Sequence, residues 1–430
     1  MTSPSIAKQP ASWSRANLIA FRLAFAIVVV TVFRVAIAVP VHLVFDVLKP
    51  PVASALGRGD NFVWQTTTSI GAFLLHSVAG GPPVRESLTA FNADRTTSAL
   101  PDMIGLFTIA LGVAILWTVL DRRRENYVTA NRWLRAYLRY ALAGMMLHYA
   151  FIKVIPTQFG FLTPGELLQP LGALTRFRLL WDFMAASSGY TIFTGLVELL
   201  GSSLLFFRRT TLLGCLILSG ALVNVVVIDL CYGVGAVTYA DTLLLYDIFL
   251  LARYLLPLSE ILLGRRDAEL PSEPLPPRGR WYHSPVVKAA ALCVFIFPLV
   301  QINLQRRHSF FGAGQPVYGL FDVVKFVRNG QPITPLASDS TTWKRIASDR
   351  FNSVCVEFAN AEVRRLPLTD DRVHHVWTIR DANTASAATL HYSFQQNGEV
   401  SLNGRIGSDS VDLLLKRVEL QQFFPLLGRR

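Results

Sequence analysis

Long apolar runs and short alternating ones divide the chain into two regions. About seven runs are continuous enough to cross a ~30 Å hydrocarbon core, which takes roughly 20 apolar residues in a helix. They lie at 18–45, 103–120, 133–155, 190–207, 210–229, 237–256 and 286–304. Only Arg208 and Arg209 separate the fourth run from the fifth, so these two form an antiparallel hairpin. Segment 46–102 is long for a plain loop, and Phe73-Leu74-Leu75 within it suggests a helix lying on the outer surface. Beyond residue 305 the period changes. Segments 317–327, 354–358, 373–380, 388–395, 400–406 and 410–418 are short and rich in Val, Leu, Phe and Tyr. The dipeptides Asn329-Gly330 and Asn397-Gly398 suit tight hairpins. Short strands at such spacing predict a small barrel or sandwich.

The expected fold is therefore an all-α membrane bundle of about seven spans with a C-terminal extramembrane all-β domain. Its parts are a helical domain at 1–256, a Pro-rich linker at 257–285, a last span at 286–304 and the β domain at 305–430. Pro257, Pro271, Pro274, Pro276, Pro277 and Pro285 keep the linker from being one helix. The first run has an alternative reading as a cleaved signal peptide. Lys8 and Arg15 precede it, and Ala36-Ile37-Ala38 resembles a small-residue cleavage site. Arg22 and Arg34 interrupt the run and favour a retained span.

Composition agrees. Over the 430 residues, 52% are hydrophobic and 16% charged, against roughly 25% charged in an average soluble protein. This excludes a disordered chain, and four cysteines exclude a disulfide scaffold. The net charge of +12 fits Lys- and Arg-rich inner loops. No basic stretch interleaved with aromatics points to nucleic acid. With the N-terminus inside, segments 1–17, 121–135, 208–209 and 257–288 hold 14 Lys and Arg, and the outer segments 46–102, 156–189 and 230–236 hold 6. That bias makes the N-terminus and linker cytoplasmic and exports the C-terminal domain, although Arg306 and Arg307 run against it.

Ionisable groups inside spans are costly and mark candidate sites. By depth, His148, Tyr149, Lys153, Asn224, Asp229, Tyr239 and Asp241 fall in the outer half, while Arg34, Glu198 and Asp247 fall near the middle. Arg34 with Glu198 or Asp247 is the natural buried ion pair. Two readings stand: satisfied contacts between helices, or a polar pocket opening outward beneath the β domain. Lys153 ends a span before Pro156 and Gln158, so its amine can reach the interface or turn inward. Metal chemistry finds little support, since neighbours such as His374 and His375 on a strand face opposite ways. Cys215 and Cys293 lie in spans, whereas Cys231 and Cys355 both fall outside and are free to pair.

Residues 139–237 carry a resemblance. Arg139-Tyr140 is followed by Tyr149-Ala150-Phe151-Ile152-Lys153-Val154-Ile155-Pro156-Thr157-Gln158-Phe159, then by Leu180-Trp181-Asp182-Phe183-Met184-Ala185-Ala186-Ser187. Next come Tyr190-Thr191-Ile192-Phe193-Thr194-Gly195-Leu196-Val197-Glu198, Arg208-Arg209-Thr210-Thr211-Leu212-Leu213-Gly214, Asn224 and Cys231-Tyr232. This stretch resembles the DoxX-like membrane proteins, closely over about a quarter of the chain. It implies a bacterial inner-membrane protein with a four-helix core at 133–256, near the redox or envelope machinery. Where such relatives continue Asp-Val-Pro-Val-Lys, this chain has Gly233-Val234-Gly235-Ala236-Val237, so one carboxylate and one amine are missing. More distantly the layout is similar to the HTTM membrane proteins related to vitamin K-dependent carboxylase. Gly319-Leu320-Phe321 is similar to the Gly-x-Trp of calycin barrels, without the Trp.

Three functions follow as expectations: a redox-linked or quinone-interacting accessory component, a membrane enzyme acting on a lipid or quinone through Lys153 or Glu198, and a binding or assembly module using the β domain. The implied partners are the lipid bilayer and a membrane or periplasmic protein, and quinone is the implied cofactor.

Overall fold

A computed structural model describes residues 12–32, 50–81, 96–265, 269–274, 285–311, 316–349, 352–380, 387–396, 398–424 and 426. The chain divides into two compact units, one of residues 1–155 and 192–303 and the other of 156–191 and 304–430.

The first unit is helical. Helices α1 (Arg15–Val32), α2 (Pro50–Ala79), α3 (Thr96–Leu120) and α4 (Val128–Val154) come first. Helices α5 (Pro164–Leu168) and α6 (Arg176–Ala186) belong to the other unit, and the division falls inside α7 (Ser188–Leu205). Then follow α8 (Thr211–Tyr232), α9 (Val237–Leu262) and α10 (Pro285–Phe311). Four stretches among the described residues are long and apolar enough to cross a membrane: Arg15–Val32, Ala99–Leu120, Arg208–Tyr232 and Val237–Leu262. Helices α6 and α7 meet at 94° and qualify as a fifth if taken together. Leu111, Ile115, Leu116 and Val119 of α3, and Leu213, Val223, Val227 and Leu230 of α8, are exposed. Such contiguous apolar faces suit lipid and not water, which, with the four long apolar helices, suggests a membrane protein.

Helix α4 is less apolar than these and is an inner helix of this bundle. Leu134, Leu138, Leu142, Met145 and Met146 pack against Phe21 of α1, Leu218 and Leu222 of α8, and Leu243, Tyr246 and Leu250 of α9. It also carries Arg135, Arg139 and Lys153, all buried in protein. At the start of the unit, Arg22 is held by the Tyr127 hydroxyl at 3.1 Å, the Thr118 hydroxyl at 3.0 Å and the Asp121 carbonyl at 2.7 Å. These contacts make α1 part of the bundle core.

Two expectations need correction here. The long outer segment 46–102 contains α2, a helix of 30 residues packed along α3. A Cβ on Gly71 would lie 1.7 Å from the Pro101 carbonyl oxygen, so the two backbones approach as only glycine permits. The linker also begins later than 257. Helix α9 runs through Pro257 to Leu262, where the single hydrogen bond lost to proline lies near the helix end.

The second unit is built on strands β1 (Gly319–Arg328), β2 (Gln331–Pro332), β3 (Trp343–Ser348), β4 (Ser353–Phe358), β5 (Val363–Asp371), β6 (Val376–Arg380), β7 (Ala387–Phe394), β8 (Val400–Ile406) and β9 (Asp409–Val418). All pairings are antiparallel. Strand β1 pairs with β3, each of β3 to β8 pairs with the next, and β9 returns to β1, so eight strands close a barrel. Strand β2 is a short hairpin on β1 through Asn329 (φ 50°) and Gly330 (φ 78°), both in the left-handed region that this turn demands. Alternation fills the interior: Ala388, Leu390 and Tyr392 from β7, Val400 and Leu402 from β8, and Val411, Leu413 and Leu415 from β9 meet Phe321, Ile346, Val356 and Trp377.

The outer wall of β1, β3 and β4 is buried too. Leu320, Ala347 and Cys355 pack against Leu168, Leu420 and Phe424. Segment 156–189, expected as an outer connection, thus belongs with the barrel, in a unit that includes 156–191. A capping box starts α5. The Thr163 hydroxyl accepts from Glu166 N–H at 3.4 Å, and the Glu166 carboxylate accepts from Thr163 N–H at 2.8 Å. Gly165 N–H donates to buried Asp349 at 2.8 Å. A Cβ on Gly165 would lie 2.3 Å from Asp349 Oδ2 and 2.8 Å from Cys355 Sγ. We expect Gly165→Ala to cost about 1–3 kcal/mol of barrel stability, read as a lower unfolding midpoint. An unchanged midpoint would mean that α5 does not rest on the barrel this closely.

Asp339 supplies a pH-sensitive turn. Its carboxylate accepts from Thr341 N–H and hydroxyl, both at 2.7 Å, and from the Thr342 hydroxyl at 2.5 Å. The Thr342 hydroxyl first, then Thr341, pull its pKa down to about 2. A carboxylate depressed in the folded state stabilises above its unfolded value of ~3.9 and loses that contribution as pH falls toward 2. Asp339→Asn should therefore flatten the acid limb of a barrel unfolding curve between about pH 4 and 2. An acid limb identical to that of the unaltered chain would refute this.

The strand expected at 373–380 starts later. His374 and His375 lie in the β5–β6 turn, with His375 at φ 56°. His374 Nδ1 meets Asp371 Oδ2 at 2.7 Å. Of the second hairpin dipeptide, Asn397 lies outside the described residues and Gly398 has φ 81°.

Candidate functional site

Lys153 and Glu198 come together. Lys153 stands in the last turn of α4 and Glu198 inside α7, and both are buried. The ammonium donates to Glu198 Oε1 in a tight ion pair. Gly195, one turn before Glu198 on the same face of α7, makes this possible. A Cβ there would lie 2.8 Å from Lys153 Cβ and 3.0 Å from the Ala150 carbonyl oxygen. The Tyr-Thr-x-Phe-x-Gly-x-x-Glu stretch thus acts as a unit: glycine lets the helices touch, and glutamate receives the lysine.

Asp229, near the end of α8, joins them. It is buried and within electrostatic reach of Lys153, and Tyr149 lies within reach of both Asp229 and Glu198. Glu198 Oε2 and Asp229 Oδ2 are buried with no hydrogen-bond donor. One ammonium therefore faces two carboxylates, and two acceptor oxygens await donors. The arrangement suits a head group that both accepts from an ammonium and donates hydroxyl hydrogens.

Other predicted residues sit differently. His148 is half-buried, with its ring edge-on to Tyr149 at 5.6 Å. Asp241 is buried and accepts from the Thr242 hydroxyl at 3.3 Å. Asp247 is fully buried and takes the Ser219 hydroxyl. Asn224 is exposed, because five residues on a helix place it well round from Asp229, so it does not line the site. Gln158 belongs to the second unit. Arg34, expected to pair with Glu198 or Asp247, lies outside the described residues; among the described residues Glu198 pairs with Lys153. The α4–α7 crossing at Gly195 turns the amine inward. The four cysteines are free, with Cys355 buried and Cys231 exposed, so the pairing of these two is not formed. Cys293, expected inside a span's packing, is exposed.

A second cluster went unread in the sequence. Arg135 grips Glu273 with both edges, Nε to Oε1 at 2.8 Å and Nη2 to Oε2 at 2.9 Å, and also donates to the Leu250 carbonyl at 2.8 Å. The Tyr254 hydroxyl donates to Glu273 Oε2 at 2.7 Å, and Arg208 Nε donates to the Glu273 carbonyl at 3.0 Å. Burial raises the Glu273 pKa, but the Arg135 fork and the Tyr254 hydroxyl outweigh it and hold it below the usual range. Residues 269–274 of the linker are therefore docked at Glu273. The available signal was a lone Glu between Pro271 and Pro274, opposite an Arg inside an apolar run. Arg135 and Lys153 are 18 residues apart on α4, about 27 Å, so the two clusters occupy opposite ends of the bundle.

Comparison with known proteins gives one relative. The "Uncharacterized protein YwoB" of Bacillus subtilis (strain 168) is 34% identical over 116 residues, which is 27% of this chain and 73% of that protein. No family model matches, and no solved structure matches. Through that quarter of its length, this chain belongs to the family of Bacillus subtilis YwoB.

Proposed function

We propose that the chain is a DoxX-like multi-pass inner-membrane protein whose bundle binds a quinone head group, as a redox-linked accessory component. The observation that carries this reading is the Lys153–Glu198 pair with the unfilled oxygens of Glu198 and Asp229 beside it. A quinone carbonyl would accept from Lys153, and a quinol hydroxyl would donate to either free oxygen. The apolar exposed faces of α3 and α8 suit the surrounding lipid. The charge count favours a cytoplasmic N-terminus and a periplasmic barrel. Two features agree with that orientation. Arg135, Arg208 and Glu273 come from three expected inner segments and meet at one place, and segment 156–189, an expected outer one, packs on the barrel.

The test is solvent extraction of the protein after purification in mild detergent, followed by mass spectrometry. Wild type should carry quinone in stoichiometric amount. Asp229→Asn, which leaves the ion pair intact, should carry at least tenfold less. Equal quinone in both, or none in wild type, would defeat the reading.

A second reading is an assembly module. The filled barrel interior speaks against capture of a ligand inside the barrel, so a protein partner would dock on its outside. Copurification of one defined partner that is lost when residues 305–430 are removed would favour this reading.

A further inference from the structure

Arg139 poses a problem that the cluster around Glu273 does not solve. It lies one turn beyond Arg135 on the same face of α4 and is 3% exposed. Its Nε and Nη1 are buried and have no partner. One face of the guanidinium is covered by the Tyr140 ring at 4.8 Å. A guanidinium does not shed its proton in a protein, so burial cannot neutralise it as it can a lysine. A buried charge without a counter-ion is strongly unfavourable. Among the described residues, Glu273 is a carboxylate within electrostatic reach of Arg139, and its oxygens already serve Arg135 and Tyr254. Arg208 adds a third cation at the Glu273 carbonyl. Two buried arginines thus share one carboxylate, with Arg208 at its backbone carbonyl, so positive charge is in excess among the described residues.

We propose that Arg139, with Arg135 and Arg208 beside it, binds a phosphate-type oxyanion at the end of the bundle opposite Lys153. Phosphate offers several oxygens to donors on different edges of the guanidinium plane and carries the missing charge. Two sources share this chemistry: the head group of an anionic phospholipid, and free inorganic phosphate. Glu273 competes for the same cations, so the linker segment that carries it tunes access. Arg139 lies 14 residues, about 21 Å, from Lys153 along α4, so this site stands or falls independently of quinone binding.

The test uses the full chain, delipidated in a non-ionic detergent, with its unfolding midpoint followed by intrinsic fluorescence. Inorganic phosphate, phosphatidylglycerol mixed micelles and phosphatidylcholine mixed micelles are titrated separately. A saturable rise in midpoint is expected with phosphatidylglycerol or with phosphate, and not with phosphatidylcholine. A response to the lipid alone assigns a head group, and a response to phosphate assigns a soluble anion. Arg139→Gln should need at least tenfold more of the active probe. Should that variant fail to fold, Glu273→Gln provides the second arm, because removing the competing carboxylate should raise the apparent affinity several-fold. No response of wild type to either anion overturns the proposal. So does a response of Arg139→Gln equal to that of wild type, or an unchanged or weakened affinity in Glu273→Gln.

Discussion

Glu198→Gln should lower stability by about 3–5 kcal/mol, because it takes from a buried ammonium the one carboxylate it hydrogen-bonds. The partner left behind is Lys153, whose amine lies on Glu198 Oε1. Lys153→Met should cost a similar amount by leaving the carboxylate alone. The double variant Lys153→Met/Glu198→Leu should recover most of the loss, since replacing both members of a buried pair by apolar groups is often neutral or stabilising. Thermal unfolding of the four proteins in one detergent measures the coupling. If the two single losses simply add in the double variant, the pair is not formed in the bundle.

Arg135→Met should be as damaging and should also release the linker. The substitution removes both edge-on contacts to Glu273 and the bond to the Leu250 carbonyl, leaving a buried carboxylate with only the Tyr254 hydroxyl. The expected loss is again about 3–5 kcal/mol. Limited proteolysis should then cut within 269–274 many-fold faster than in wild type, where Glu273 holds that stretch down. Equal cleavage rates in the two proteins would mean that the strap is not fastened there.

Barrel strands were legible where apolar residues alternate, cleanly in Ala387–Phe394 and partially in Asp409–Val418. Strands β3 and β5 were missed for a physical reason. Trp343–Ser348 places Lys344 and Arg345 between its apolar residues, where they pair with Glu357 and Asp322 on neighbouring strands. Val363–Asp371 opens with Arg364 and Arg365 and contains Pro367. Their sheet positions are set by cross-strand partners distant in sequence, which a local window does not see. Segment 156–189 was missed as part of the barrel unit because its anchors, the Gly165 N–H on Asp349 and Leu168 against Leu320, Ala347 and Cys355, lie about 150 to 190 residues away in sequence.

At the candidate site, the residue types of Lys153, Glu198 and Asp229 were readable, and their pairing was not. Membrane depth alone put Glu198 with Arg34 near mid-bilayer, whereas the tight crossing at Gly195 brings the end of α4 to the middle of α7. Asn224 was misassigned because polarity within a span does not give the angle around the helix. Glu273 escaped notice because a proline-rich linker reads as solvated until its buried partner is known.

The central claim is that Lys153, Glu198 and Asp229 hold a ligand head group rather than only packing the bundle. The most direct measurement is equilibrium binding of a quinone with a short tail to the full chain in lipid nanodiscs. Wild type is compared with Lys153→Met/Glu198→Leu at a temperature where both are folded. Saturable binding by wild type and at least a tenfold loss in the double variant are expected. Binding of equal affinity to both proteins would contradict it.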